Sequence, residues 1–136
     1  MRAESVVNAL LTQAPGLVAL VGTRIYPVQA IQNGSYPQVI YEHISSTDIY
    51  PVSAQSGATM VEARIETTVV GKSYADCKNG LEQIRLALLF QRGTIAGVQV
   101  VWILRVSSNP DFFDPDLGLY KQSADWKVRF YEPSPS

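Results

Sequence analysis

ATMVEARIETTVV, Ala58 to Val70, alternates along its length. Val61, Ala63, Ile65, Thr67 and Val69 fall on one side, and Glu62, Arg64, Glu66 and Thr68 on the other. A period of two is the side-chain repeat of a strand. One dry side and one wet side mark an antiparallel sheet covered on a single face. The cover must come from elsewhere in the chain, so the helical segments around this strand decide the architecture.

The next segment, GKSYADCKNGLEQIRLALLF, supplies one cover. Ser73 reads as an N-cap, with Asp76 three residues on as a variant capping-box partner. Tyr74, Cys77, Leu81, Ile84 and Leu88 then recur at helical spacing, to about Phe90. Gly80 inside this helix costs roughly 1 kcal/mol relative to Ala. Gly93 and Gly97 mark the return turn. Gly97 to Ser107 is a strand with Val98, Val100, Trp102, Leu104 and Val106 set against Gln99, Val101, Ile103 and Arg105. Its middle is apolar on both sides, which predicts a central strand. Leu119 to Tyr131 is the last strand, with Tyr120, Gln122, Ala124, Trp126, Val128 and Phe130 inward and Lys121, Asp125, Lys127 and Arg129 outward.

Upstream, residues 3 to 13 place Val6, Val7, Leu10 and Leu11 on one helical face. Pro15-Gly16 breaks the pattern, and Leu17 to Val21 adds about one further turn. Arg24 to Pro27 is extended, since the residue before a proline is pushed away from helix. Pro37 to Ser45 is a strand, with Val39, Tyr41 and His43 on one face and Ile40, Glu42 and Ile44 on the other. Residues 28–36, Ser46–Gly57 and Asn109–Gly118 read as loops. The expected fold is α+β: a four-stranded antiparallel sheet with two helices packed on one face, in the order α-β-β-α-β-β. Residues 1–136 are expected to form a single domain, with a frayed tail at about 133–136.

The two longest strands, at about 13 residues each, would span roughly 43 Å. A compact domain of this length has a diameter of about 37 Å. Either bulges split the strands, or a hairpin projects and is covered by a neighbouring subunit.

Composition narrows the function classes. With 46% apolar and 17% charged residues, net charge −1 and pI near 5.7, nothing calls for a nucleic-acid backbone or an anionic membrane as partner. Cys77 is the one cysteine, so no internal disulfide forms, and its spacing makes it a small buried hydrophobe of a helix. The one histidine, His43, reads as a half-buried structural residue. No nucleophile elbow, phosphate loop or metal-ligand spacing supports catalysis or a cofactor. NPDFFDPDLG, Asn109 to Gly118, clusters Asp111, Asp114 and Asp116, but it lacks the glycine and terminal glutamate of a calcium loop. Phe112 and Phe113 in that loop are candidate interface anchors.

Four stretches in order resemble the phage tail completion proteins, a family of tail-to-head joining and tail terminator proteins. They are LVGTRIYP (Leu20–Pro27) after an opening helix, PQVIYEHIS (Pro37–Ser45), GKSYADCKNGLEQIRLAL (Gly71–Leu88) and QSADWKVRFYE (Gln122–Glu132). The likeness runs over about Val6 to Pro133, with Gln13-Ala14-Pro15-Gly16 departing from the family's usual helix approach. The resemblance implies a non-enzymatic virion structural protein of a tailed phage or prophage, made in the host cytoplasm and placed at the head-proximal end of the tail. It implies a homo-oligomer, a hexameric ring that caps the tail tube, with the tail tube protein and a head–tail connector protein as partners. DNA is met only by passage through the ring, and no membrane, metal or cofactor is involved. Candidate contacts are Ile49, Tyr50 and Pro51 in the first long loop and Phe112, Phe113, Asp114 and Asp116 in the second. A connector subunit of the neck, or a small accessory binding domain, is the alternative.

Overall fold

In the computed structural model, residues 2–30, 34–49 and 58–133 are described. The element order is α1 (Arg2–Thr12), α2 (Pro15–Val21), β1 (Ile25–Pro27), β2 (Gln38–Ile49), β3 (Ala58–Gly71), α3 (Tyr74–Leu88), β4 (Gly93–Ile95), β5 (Val98–Ser108), β6 (Phe112–Asp114) and β7 (Leu119–Pro133). Seven strands make one sheet in the order β1-β2-β3-β7-β5-β4, with β6 also on β7. It curls into a half-barrel.

The expected four-stranded antiparallel sheet with two helices is therefore corrected. Its four strands do form the sheet's middle, β2-β3-β7-β5, antiparallel throughout. Three short strands extend it, and β1 runs parallel to β2, so the sheet is mixed. The turn expected after Pro15 is a third helix, bent 81° from α1. Proline sits at its start, where a missing N–H is harmless. Gly22 at φ 58° ends it, in a region that favours glycine. Leu20–Pro27 thus turns from helix into an edge strand. Arg24 locks the turn, its Nε donating to the Pro37 carbonyl at 3.0 Å while its own carbonyl accepts the Val39 N–H at 2.9 Å.

The core lies between the helices and one sheet face. Val61, Ala63, Ile65, Thr67 and Val69 of β3 are all buried there, as the alternation dictates. They face Phe130, Val128, Trp126, Ala124 and Gln122 of β7 in register. α1 contributes Ala3, Val6, Val7 and Leu11, and α3 contributes Cys77, Ile84 and Leu88. Ser73 caps α3, its Oγ accepting the Asp76 N–H at 3.1 Å. Gly80 faces Val69 so closely that a Cβ there would lie 2.9 Å from Val69 Cγ1. Its helix-propensity cost is offset by this close approach of α3 to the sheet.

Neither long strand is split. β3 and β7 pair unbroken from Ala58↔Pro133 to Gly71↔Tyr120. The bulges lie in the flanking strands, between His43 and Ser45 in β2 and at Val101 and Val106 in β5. Each bulge advances the side-chain alternation by one. That corrects the expected faces of the 97–107 strand: Ile103 is buried in the core, and Trp102 and Leu104 lie on the other side. It also carries β2 through Ser46–Ile49, which sequence placed in a loop. Tyr50, Pro51 and residues 134–136 of the expected tail lie outside the described residues.

Candidate interaction surfaces

The open face of the sheet is polar. Glu62 accepts from Arg129 Nη2 at 2.7 Å and pairs with Lys127 Nζ at 3.1 Å. These cations hold its carboxyl below the usual range, the Arg129 bond foremost and against the opposing effect of burial. Arg64 meets Asp125 through Nε at 2.8 Å and Nη2 at 2.6 Å. Asn109 donates to Asp125 Oδ1 at 3.0 Å and Ser123 Oγ at 2.9 Å, fixing the end of β5 to β7. Arg129 also stacks over Trp102, 4.6 Å from the ring centroid. Charges on this face are largely matched within it.

The Asn109–Gly118 segment is a built tip and not an open loop. β6 pairs antiparallel with the start of β7, Phe112↔Lys121 to Asp114↔Leu119. Asp114 Oδ1 accepts the N–H groups of Asp116 at 3.0 Å and Leu117 at 3.3 Å, a local side-chain turn. Gly118, at φ 66°, closes it by donating to the Asp114 carbonyl at 2.8 Å. Asp111 ties the tip to α3 and β7. Its carboxylate accepts from Gln122 Nε2, from Tyr74 Oη at 2.8 Å and from Lys78 Nζ at 3.1 Å. Those bonds, Gln122 first, keep its carboxyl below the ordinary value.

On this held frame three apolar side chains face outward: Phe112 at 54%, Phe113 at 45% and Leu117 at 56% exposure. Phe113 leans on Tyr120, with centroids 4.6 Å apart, and Lys121 lies over Phe112. Rigid aromatics presented in advance lose little freedom on binding. Asp116 is exposed beside them, whereas the Asp114 side chain serves the turn. Sequence singled out Phe112, Phe113, Asp114 and Asp116, but not Leu117 or the Tyr74–Asp111–Lys78 tie. Tyr74 and Lys78 sit at helical i, i+4 spacing, a signal legible only once Asp111 is known to be near.

Ile49, the described member of the other candidate group, ends β2 opposite Met60. β3 runs from Met60 beside Ile49 to Gly71 beside Tyr120, and β6 sits at Tyr120. Ile49 and the Phe112–Asp114 strand therefore lie at opposite ends of the long strands.

Cys77 is fully buried, its thiol pushed up to about 11 by burial, with Sγ 3.4 Å from the Tyr120 carbonyl. A thiol of that kind is inert at neutral pH. His43, expected half-buried, is exposed at the sheet edge, with Nε2 2.6 Å from Ser46 Oγ across the bulge. Among the described residues, no three His, Cys, Asp or Glu side chains gather as metal ligands.

Comparison with known proteins gives a family match and a likeness of fold. Residues 5–131 match the family model described as tail completion protein gp17. Comparison with curated protein sequences returns no match. A solved chain titled "Virion of native gene transfer agent (GTA) particle" superposes with a TM-score of 0.72 at 15% identity, over 96% of this chain and 97% of that one. At that identity the likeness is one of fold.

Proposed function

This chain belongs to the tail completion protein gp17 family and is a structural tail protein; on that premise we propose that it is a ring-forming terminator subunit. The ring, a hexamer, caps the tail tube at its head-proximal end and joins it to a connector, and DNA passes through it. The 136 residues act in it as one unit. The observation that carries this reading is the placement of the surfaces. Ile49 stands at one end of the strands, and Phe112, Phe113, Asp114 and Asp116 stand at the other. A subunit that joins two different neighbours needs contacts at two opposed ends. Its lateral contacts with copies of itself must lie between them, and closure by rotation then limits the assembly.

Light scattering across a concentration range tests this, together with joining assays. A closed hexamer is the expected species. Phe112→Ser/Phe113→Ser is expected to leave ring mass unchanged while abolishing the joining of tails to heads. A chain that forms open polymers, or a double variant that joins normally, would overturn the assignment.

A further inference from the structure

Among the described large apolar side chains, Phe90 at 70% and Val28 at 67% are the most exposed. Both also sit on left-handed backbone, Phe90 at φ 64° and Val28 at φ 67°. That region suits glycine and strains a bulky or β-branched residue. One bond to an outer long strand holds each in place. The Val28 N–H donates to the Tyr41 carbonyl of β2 and the Phe90 N–H to the Ile103 carbonyl of β5, both at 2.9 Å. Glycine would make either bond without strain, and side chains this exposed return little to the core. Strain kept for the sake of an exposed apolar side chain points to a use outside the folded chain.

Deepening the ring reading and resting on it, we propose that Phe90 of one copy seats in the cavity beside Val28 of the next. The cavity, of about 490 Å³, has Pro27, Val28 and Tyr41 among its walls, and Glu42 also lines it. It has room for an aromatic ring, and a buried aromatic in an apolar pocket is the usual anchor of a protein contact.

Placement favours a second copy as the occupant. Sheet order puts the cavity beside β1 at one edge and Phe90 beside β4 at the other. A contact between two different patches of one chain is heterologous, so it repeats from copy to copy until rotation closes the ring. Charge favours the same occupant. Arg92, two residues beyond Phe90, is exposed. Glu42 is exposed at the cavity and stands in register with Glu66, which faces Asp125 in turn. A guanidinium arriving with Phe90 answers that row of like charge.

Photocrosslinking tests the seating, with p-benzoylphenylalanine in place of Phe90 in the full-length chain, at the concentration where light scattering shows assembly. The expected product is a cross-linked dimer on a denaturing gel, attached at Pro27, Val28 or Tyr41 of the second copy. A dimer joined through residues 86–92 of both copies would mean that like patches meet, and would overturn the proposal. Phe90→Gly separates use from structure, because glycine suits this backbone. The melting temperature of the dilute variant is expected to hold or rise while assembly weakens at least tenfold. A lower melting temperature with assembly unchanged would make Phe90 structural and overturn the seating. Arg92→Glu is expected to weaken assembly several-fold, and Arg92→Glu/Glu42→Lys to recover most of it. A closed ring that gives no cavity cross-link and is indifferent to Phe90→Gly would overturn the seating while leaving the ring reading intact. Cavity cross-links in chains that form open polymers would support the seating and sink the ring. A chain that stays monomeric at every concentration would sink both.

Discussion

The two faces of β3 share one backbone and are held by different physics. Toward the helices, Val61, Ala63, Ile65 and Val69 are buried among apolar neighbours, and one polar group, Thr67, is satisfied. Toward the open side, Glu62 and Arg64 are matched by charges of β7, whereas Glu66 lies between the like charges of Asp125 and Glu42. The first face gains from removing apolar area from water, the second from matching charges that stay wet. The difference teaches where partners are to be sought. Matched charges leave much of the open face with little to offer, and the exposed apolar side chains include Val28 and Phe90 beside the outer strands, Leu86 on α3, and Phe112, Phe113 and Leu117 together at the tip.

Substitutions on either side of one peptide unit break this comparison most sharply. Ile65→Ala is expected to cost about 3–4 kcal/mol, transfer and cavity together, at a side chain with no exposure. Its neighbour Arg64→Ala removes a partly exposed pair and is expected to cost about 1 kcal/mol. Urea denaturation of both measures the difference. Equal losses would mean that the open face is structural in a way its wet charges do not explain. Next in size is Thr67→Val. Trp126 is fully buried, and its indole N–H donates to Thr67 Oγ1 at 2.9 Å. Removing the acceptor strands that donor at a cost of about 2 kcal/mol, and Thr67→Ser should restore most of it. Gly80→Ala follows, with a net loss of about 1 kcal/mol, because crowding against Val69 outweighs the gain in helix propensity. A more stable alanine variant would show that α3 can withdraw from β3.

How legible the molecule was in its sequence depends on where the ladder is regular. The Ala58–Val70 alternation reads correctly because β3 has no bulge, so one face persists along the strand. In β5 the extra residue at Val101 reverses the faces beyond it, and nothing in VQVVWILRV announces that shift. Ser46–Ile49 looks like loop because an exposed edge strand needs no apolar side, and so carries no alternation. β1, β4 and β6 are three residues each, too short for a period to show, and the parallel placement of β1 depends on α2 turning the chain. Of the candidate surfaces, Phe112 and Phe113 were legible as adjacent aromatics in a loop.

The smallest expected effect has the opposite sign and tests the open face alone. Glu42, Glu66 and Asp125 lie side by side across three strands. The Glu66 carboxyl is pushed above its ordinary value, first by burial and then by the negative charges of Asp125 and Glu42. A carboxyl raised in the folded state is one whose ionisation opposes folding. The penalty is absent below the unfolded pKa, grows as pH rises from there through the folded pKa, and is full above it. Glu66→Gln keeps an acceptor for Asn109 and removes the charge. It is therefore expected to raise Tm by a few degrees at most at pH 7, with the gain shrinking toward pH 4. Thermal melts of the two proteins at several pH values measure this. Glu62, whose carboxyl is lowered by Arg129 and Lys127, supplies the contrast two residues away. Its contribution is present above the unfolded pKa and lost as pH falls through the folded one, so Glu62→Gln should destabilise at pH 7 and converge on the parent in acid. If both variants moved Tm in the same direction at pH 7, charge matching would not be what organises this face.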